Sequence, residues 1–231
     1  MQQSPPKNIK RTIKSFVLRQ GRLSKSQQRA IDTLWPDFGI DMGEAQIDWE
    51  REFKQKAPLV LEIGFGMGQS LVQQAENEPD KNFIGIEVHK PGVGTCLKDI
   101  ERLGLNNLKL MNGDAITALE HMIPDNSLLR VQLYFPDPWH KKKHNKRRIV
   151  NTKFVQVIGD KLVSEGCFHM ATDWKPYAEH MLEVMQQAEN FNNMSEDNDY
   201  CPAPEFRPTT KFETRGIKLG HGVWDLLYKK N

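Results

Sequence analysis

The sequence predicts an α/β fold: a doubly wound, mostly parallel sheet of seven strands, helices on both faces, and a last strand running antiparallel. Three observations predict it. Between residues 59 and 188 short apolar runs alternate with amphipathic stretches about every 20–30 residues, the rhythm of right-handed β-α-β units. The first run, Leu59-Val60-Leu61-Glu62-Ile63, opens into a glycine turn, Gly64-Phe65-Gly66-Met67-Gly68. At 231 residues the chain is long enough for one well-cored domain of this kind.

Taken in order, residues 1–35 form a basic N-terminal arm with breakers at Pro5 and Pro6. A short helix is expected over 23–34, ended at Trp35-Pro36 because proline pushes its predecessor out of the helical region. Residues 36–231 then form a single domain. Residues 41–56 read as a connecting segment or irregular helix. The glycine turn leads into a helix over 70–77. Residues 83–87 are the second strand and 91–103 the second helix. A third strand over 108–112 turns at Gly113-Asp114 into a helix reaching about residue 122. The fourth strand, 128–135, is more continuously apolar. A helix over 151–163, a strand over 166–172 and a helix over 175–188 follow. Possible strands near 191–194 and 222–228 close the sheet, one of them antiparallel.

The net charge of +2 conceals an asymmetry. Residues 1–30 carry eight cations and no acid, and residues 140–148 carry six more and no acid, leaving −12 for the remainder. An acidic body with two basic segments suits a polyanion gripped at defined places; the plain alternative is a solvated tail and a solvated loop. No apolar run is long enough to cross a membrane, and the N-terminus lacks the apolar core of a signal peptide. Cys96, Cys167 and Cys201 are distant and odd in number, which argues for neither zinc nor disulfides and suits the cytoplasm.

Ligands of open α/β sheets bind over the carboxyl ends of the strands. Here those ends carry Glu62, Glu87, Asp114 and Asp137, one acid after each of four successive strands. A dinucleotide site would need Gly-x-Gly-x-x-Gly and a helix N-terminus kept for pyrophosphate. This chain has Gly64-x-Gly66-x-Gly68, and its carboxylates suit a ligand with cationic and hydroxyl groups, such as S-adenosylmethionine. The stretch Glu62 to Gly68 resembles motif I of class I methyltransferases. That resemblance implies Glu87 on the ribose hydroxyls, Asp114 beside the adenine, and Glu62, Gly64, Gly66, Gly68 and Asp137 completing the cofactor site.

After the fourth strand comes Phe135-Pro136-Asp137-Pro138-Trp139-His140, then Lys141-Lys142-Lys143-His144-Asn145-Lys146-Arg147-Arg148. The prolines and aromatic echo the Asp/Asn-Pro-Pro-aromatic motif of nucleic-acid amino methyltransferases, with the acid displaced between the prolines. Together with Ile9-Lys10 through Val17, Ala171-Thr172-Asp173-Trp174, Thr210 to Gly216 and Gly220 to Leu226, it resembles the bacterial tRNA (guanine-N7-)-methyltransferases, the TrmB family. That resemblance covers nearly the whole chain. It implies methyl transfer from S-adenosylmethionine to N7 of the variable-loop guanine, nucleotide 46 of tRNA. Asp137 is then the catalytic residue, while Lys141, Asp173, Thr210, Lys211, Phe212 and Glu213 meet the substrate.

Lys143, His144, Asn145, Lys146, Arg147 and Arg148, with the N-terminal arm, would hold phosphates. Thr210-x-x-Glu213 also reads as a helix capping box, and Asp173 as a plain helix cap. Trp139 could equally stack on the base or pack inside. His140 and His144 share a helical spacing but lack a third ligand, so no metal is expected. The partner is tRNA, not DNA or membrane, and a monomer is favoured over a homodimer. The alternatives are another RNA or DNA base methyltransferase, a non-catalytic tRNA-binding module on the same fold, and an NAD-dependent oxidoreductase.

Overall fold

Ser24 begins the first helix because its hydroxyl accepts from Gln27 N while Gln27 Oε1 accepts from Ser24 N, a reciprocal capping box. The computed structural model describes residues 14–17, 21–209, 213–214 and 222–231. Helix α1 (Lys25–Phe38) does not stop before Pro36 as expected but runs two residues beyond it. Its end is held by local hydrogen bonds: Gly39 N donates to Trp35 O, and Trp35 Nε1 donates to Asp41 Oδ1 at 2.8 Å. The boundary expected at residue 35 thus falls inside α1, which packs on α4 (Lys90–Leu103) through Gln27 Nε2 bonds to Pro91 O and Thr95 Oγ1.

Among the described residues the sheet has eight strands, not seven, in the order β1-β4-β3-β2-β5-β6-β8-β7. The extra strand, β1 (Gly39–Ile40), is a two-residue parallel edge on β4 (Leu108–Asn112), too short to leave a periodic pattern. β2 (Leu59–Ile63) lies between β3 (Asn82–Glu87) and β5 (Leu128–Tyr134), all parallel. This is the point where strand order reverses, and it opens a crevice at the strand ends. β6 (Leu162–Thr172) starts earlier than expected, pairing Leu128 with Leu162 before a register shift. β8 (Trp224–Lys230) inserts antiparallel between β6 and β7 (Phe191–Asn193).

Each face has its own core. On one side α1, α3 (Gln69–Asn77) and α4 place Ala30, Leu71, Val72, Cys96, Leu97 and Ile100 against Val60, Phe83 and Leu108. On the other, α5 (Ala115–His121), α6 (Thr152–Lys161) and α7 (Lys175–Met185) bring Leu119, Phe154, Ile158, Tyr177 and Met181 onto Leu61, Val131 and Phe168. A short α2 (Trp49–Glu52), capped by Asp48, lies within the expected connecting segment. Among the described residues no helix is long and apolar enough to cross a membrane.

Candidate active site

Three of the four strand-end acids line one cavity of about 440 Å³: Glu87 after β3, Asp114 after β4 and Asp137 after β5. Gly64 and Gly66 form its floor, and Ser15, Phe16 and Val17 of the N-terminal arm close one side. Gly66 sits at φ +60°, and a Cβ there would project into open space, so the turn keeps its backbone bare toward a ligand. A Cβ on Gly68, at φ +83°, would instead strike Cys96 Cβ at 2.7 Å, so Gly68 serves helix packing at the start of α3. Sequence reasoning missed Gly92, where a Cβ would lie 1.9 Å from Gly66 O; α4 begins against the glycine turn. The Pro91-Gly92 pair at a helix start is the signal that could have found it.

Glu87 is already a strong acceptor. Its Oε2 accepts from Gly66 N at 2.8 Å, and its Oε1 from Val88 N and His89 N at 2.7 and 2.9 Å. With about four lone-pair sites, this carboxylate retains capacity for roughly one more donor from the cavity. It therefore both shapes the glycine turn and faces the ligand. Asp114 likewise has two duties, since its Oδ1 caps α5 at Ile116 N (3.1 Å) while the residue lines the cavity.

Glu62 does not line this cavity. Strand alternation turns it toward the α3/α4 face, where it is buried with Oε2 lacking a hydrogen-bond partner. Burial pushes its carboxyl up to about 8, against the pull of Arg130 and with a smaller push from Glu87. Gln132, its register partner on β5, is also buried with an unpaired Oε1. Two facing acceptors favour the neutral acid at Glu62, which has a proton to donate.

The Phe135–Trp139 stretch is strained at both ends. Phe135 and Trp139 both adopt left-handed φ, +48° and +50°, at a cost of about 1–2 kcal/mol each for side chains of this size. Phe135 N is held by Ala171 O at 2.8 Å, and Trp139 Nε1 donates to Ser15 O at 3.1 Å. The two prolines fix φ between these points and leave Asp137 exposed at the cavity mouth. Trp139 also carries the Arg147 guanidinium 4.9 Å over its ring and meets His144 edge-on, so its observed role is packing.

The basic run divides in two. Lys141, Lys142, Lys143 and Lys146 are exposed, on or beside the 3-10 turn Lys142–Arg147. Arg148, by contrast, is buried: its Nε donates to Pro138 O at 3.1 Å and its guanidinium stacks on Tyr177 at 4.8 Å. The arginine expected on phosphate braces the Pro-Asp-Pro turn instead. Asn145, with its amide turned to satisfy both neighbours, donates to Trp139 O and Lys141 O at 3.0 and 3.3 Å. A second cavity of about 380 Å³ lies alongside, lined by Lys14, Lys146, Arg147 and Lys153.

Asp173 is exposed at the tip of β6 and does not cap α7, whose N-cap is Trp174 without a side-chain cap bond. Trp174 meets His140 edge-on at 4.5 Å, so the β5 and β6 tips touch. Glu213 is buried and held by Arg207 through two hydrogen bonds, 2.6 and 2.8 Å. Thr210, Lys211 and Phe212 lie outside the described residues.

A family model described as "Putative methyltransferase" matches residues 56–226. A tRNA (guanine-N(7)-)-methyltransferase of Vibrio parahaemolyticus is 57% identical over 221 residues, covering 95% of this chain and 92% of its relative. One from Yersinia pestis is 59% identical over 220 residues, with the same coverages. The chain belongs to the tRNA (guanine-N7-)-methyltransferase family. Among solved structures, the 16S rRNA methyltransferase KamB superposes with a TM-score of 0.58 at 14% identity, covering 79% of this chain and 92% of its own, which speaks for the shared fold. Within that fold the bare glycine turn and the three carboxylates around one cavity fit a cofactor with ribose hydroxyls and an adenine.

Proposed function

We propose that this chain transfers a methyl group from S-adenosylmethionine to N7 of a guanine in tRNA, that of the variable loop at nucleotide 46. The observation that carries the reading is the placement of Asp137, whose short loop ends a cofactor-sized cavity on one side and begins an exposed cationic turn on the other. S-adenosylmethionine supplies an electrophilic methyl on a sulfonium. Glu87 takes a ribose hydroxyl at its remaining acceptor site and Asp114 lies against the adenine, with the Gly64–Gly66 backbone left bare beneath them.

N7 of guanine is a lone-pair nucleophile with no proton to lose, so no general base is needed at the attacking atom. Asp137 orients the base edge and offsets the positive charge that builds on the purine as the bond forms. The strained, proline-braced turn removes the freedom that the carboxylate would otherwise lose on binding. Lys141 and Asp173, both exposed, meet the nucleotide. Lys142, Lys143 and Lys146, with the N-terminal arm, hold the backbone of a tRNA bound by a monomer in the cytoplasm.

The test is methylation of unmodified tRNA with labelled cofactor, followed by mapping through aniline cleavage at 7-methylguanine. Cleavage confined to the variable loop is expected. Cleavage elsewhere would move the reading to another RNA base, and none at all would leave a binding module.

A further inference from the structure

Of the five tryptophans in the chain, Trp174 alone is exposed, with 38% of its surface open. It stands just past β6 at the N-cap of α7, but its backbone makes the cap. Trp174 O accepts from Tyr177 N at 2.8 Å and from Ala178 N at 3.1 Å, and no side-chain cap bond is present. Starting the helix therefore does not require the indole.

A single large apolar side chain on a surface is ordinary and carries nothing by itself. The surroundings of this one carry more. The His140 ring lies edge-on to the indole with 4.5 Å between centroids, and His140 comes three residues after Asp137. Buried Arg148 fastens the same two loops together, its Nε donating to Pro138 O at 3.1 Å and its Nη1 to Pro176 O at 3.4 Å. Trp174 N is held in turn by Thr172 Oγ1 at 3.3 Å. Trp174 is thus an open aromatic surface, fixed at its backbone, beside the loop that presents Asp137.

Its neighbours Asp173, Lys175, His140 and Lys141 are all exposed and polar, and the exposed Lys142 and Lys143 follow directly. An apolar partner would strip water from these charges. A nucleobase on its ribose-phosphate strand would not, since it offers a flat face to the indole and phosphates to the lysines. That pairing of aromatic face and cations is how proteins hold unpaired nucleotides. Trp174 is not among the walls of the 440 Å³ cavity, so a base lying on it is outside the methyl-transfer pocket. A guanine entering that pocket leaves the stack, and its neighbour loses a partner that an aromatic ring can replace.

We propose that Trp174, with His140 against it, is a stacking platform for the nucleobase next to the target guanine. This rests on the reading above that the cavity receives a guanine of tRNA. Trp174 binds substrate and takes no part in methyl transfer. Every base has a face to stack, so the platform holds the strand without selecting its sequence.

The experiment measures tRNA binding by the full-length wild type, Trp174→Leu and Trp174→Phe, beside calorimetric binding of S-adenosylhomocysteine. Each protein is given unmodified tRNA and tRNAs with an abasic sugar at one or the other nucleotide flanking the target. Trp174→Leu should bind unmodified tRNA at least about tenfold more weakly, while Trp174→Phe stays within about threefold of wild type. One of the abasic tRNAs should lose a similar factor with wild type and little more with Trp174→Leu, because the stacked pair is already broken. The salt slope of binding and the cofactor affinity should not change. Equal binding of unmodified tRNA by wild type and Trp174→Leu would overturn the proposal. So would losses that simply add for both abasic sites, or a parallel loss of cofactor affinity, which would make Trp174 a support of the fold. If Trp174→Leu does not fold, tryptophan emission decides: tRNA should quench wild type more than Trp174→Phe, and equal quenching would overturn the proposal. A wild type that methylates tRNA beside an unaffected Trp174→Leu sinks this proposal alone. A wild type that neither binds nor methylates tRNA sinks the functional reading and this proposal with it.

Discussion

Asp137 and Glu62 show how little a residue type says without its surroundings. Both are acids at strand ends, yet one is exposed at the cavity mouth and the other is buried behind it. Asp137→Ala should lower kcat by about 10²-fold or more while tRNA affinity changes little, because the work proposed for it falls mainly in the transition state. Single-turnover rates beside filter binding check this, and a large loss of binding would reassign Asp137 to substrate capture. For Glu62 the carboxyl is raised in the fold to about 8, so the folded state keeps its proton where the unfolded chain has lost it. The stability it contributes is full in acid and is lost as pH rises from the ordinary carboxylate range toward 8. Melting Glu62→Gln beside wild type should therefore show the variant gaining relative stability between pH 5 and pH 8.5. A difference independent of pH would mean that Glu62 is ionised throughout.

At the scale of elements, the basic run is two devices in one stretch. Its exposed lysines are free to meet phosphate, whereas Arg148 holds the Pro-Asp-Pro turn from inside and Asn145 ties Trp139 and Lys141 just after it. Replacing Lys142, Lys143 and Lys146 with alanine should weaken tRNA binding and flatten its salt dependence, the slope falling by up to roughly 0.7–0.9 for each phosphate left without its lysine. The measurement is Kd against salt concentration, and an unchanged slope would return these lysines to plain solvated charge. Arg148→Ala should behave differently, lowering turnover and thermal stability with the salt slope intact. The glycine turn offers a parallel case. Gly66→Ala adds a methyl to the cavity at a left-handed φ, so it should weaken S-adenosylhomocysteine binding more than it weakens tRNA binding.

Across the whole molecule, the site is where the strand order reverses, and its walls come from residues 15–17, 63, 64, 66, 86–89, 113–115, 133–137 and 149. A ligand joining so many segments should stabilise all of them together. At one hundred times its Kd, S-adenosylhomocysteine adds about 2.7 kcal/mol, a rise in Tm of about 5–10 °C for a chain of this length. A melting scan with and without ligand reads it directly.

The alternating strands, the glycine turn and the acids at strand ends were legible in the sequence because each is a local pattern with its own period or spacing. By itself the sequence determined the sheet, the cavity's place on it and the run of residues that includes Asp137. Only the tertiary structure decided that Glu62 lies behind the cavity, that Arg148 faces inward, that α1 runs past Pro36 and that a two-residue strand extends the sheet. It also decided the Trp174–His140 contact, whose members come from the loops after two neighbouring strands. The physical reason is the same throughout. A pattern along the chain records which side chains must be buried, but a buried charge is defined by the partner it finds, and that partner is supplied only when distant segments close on it.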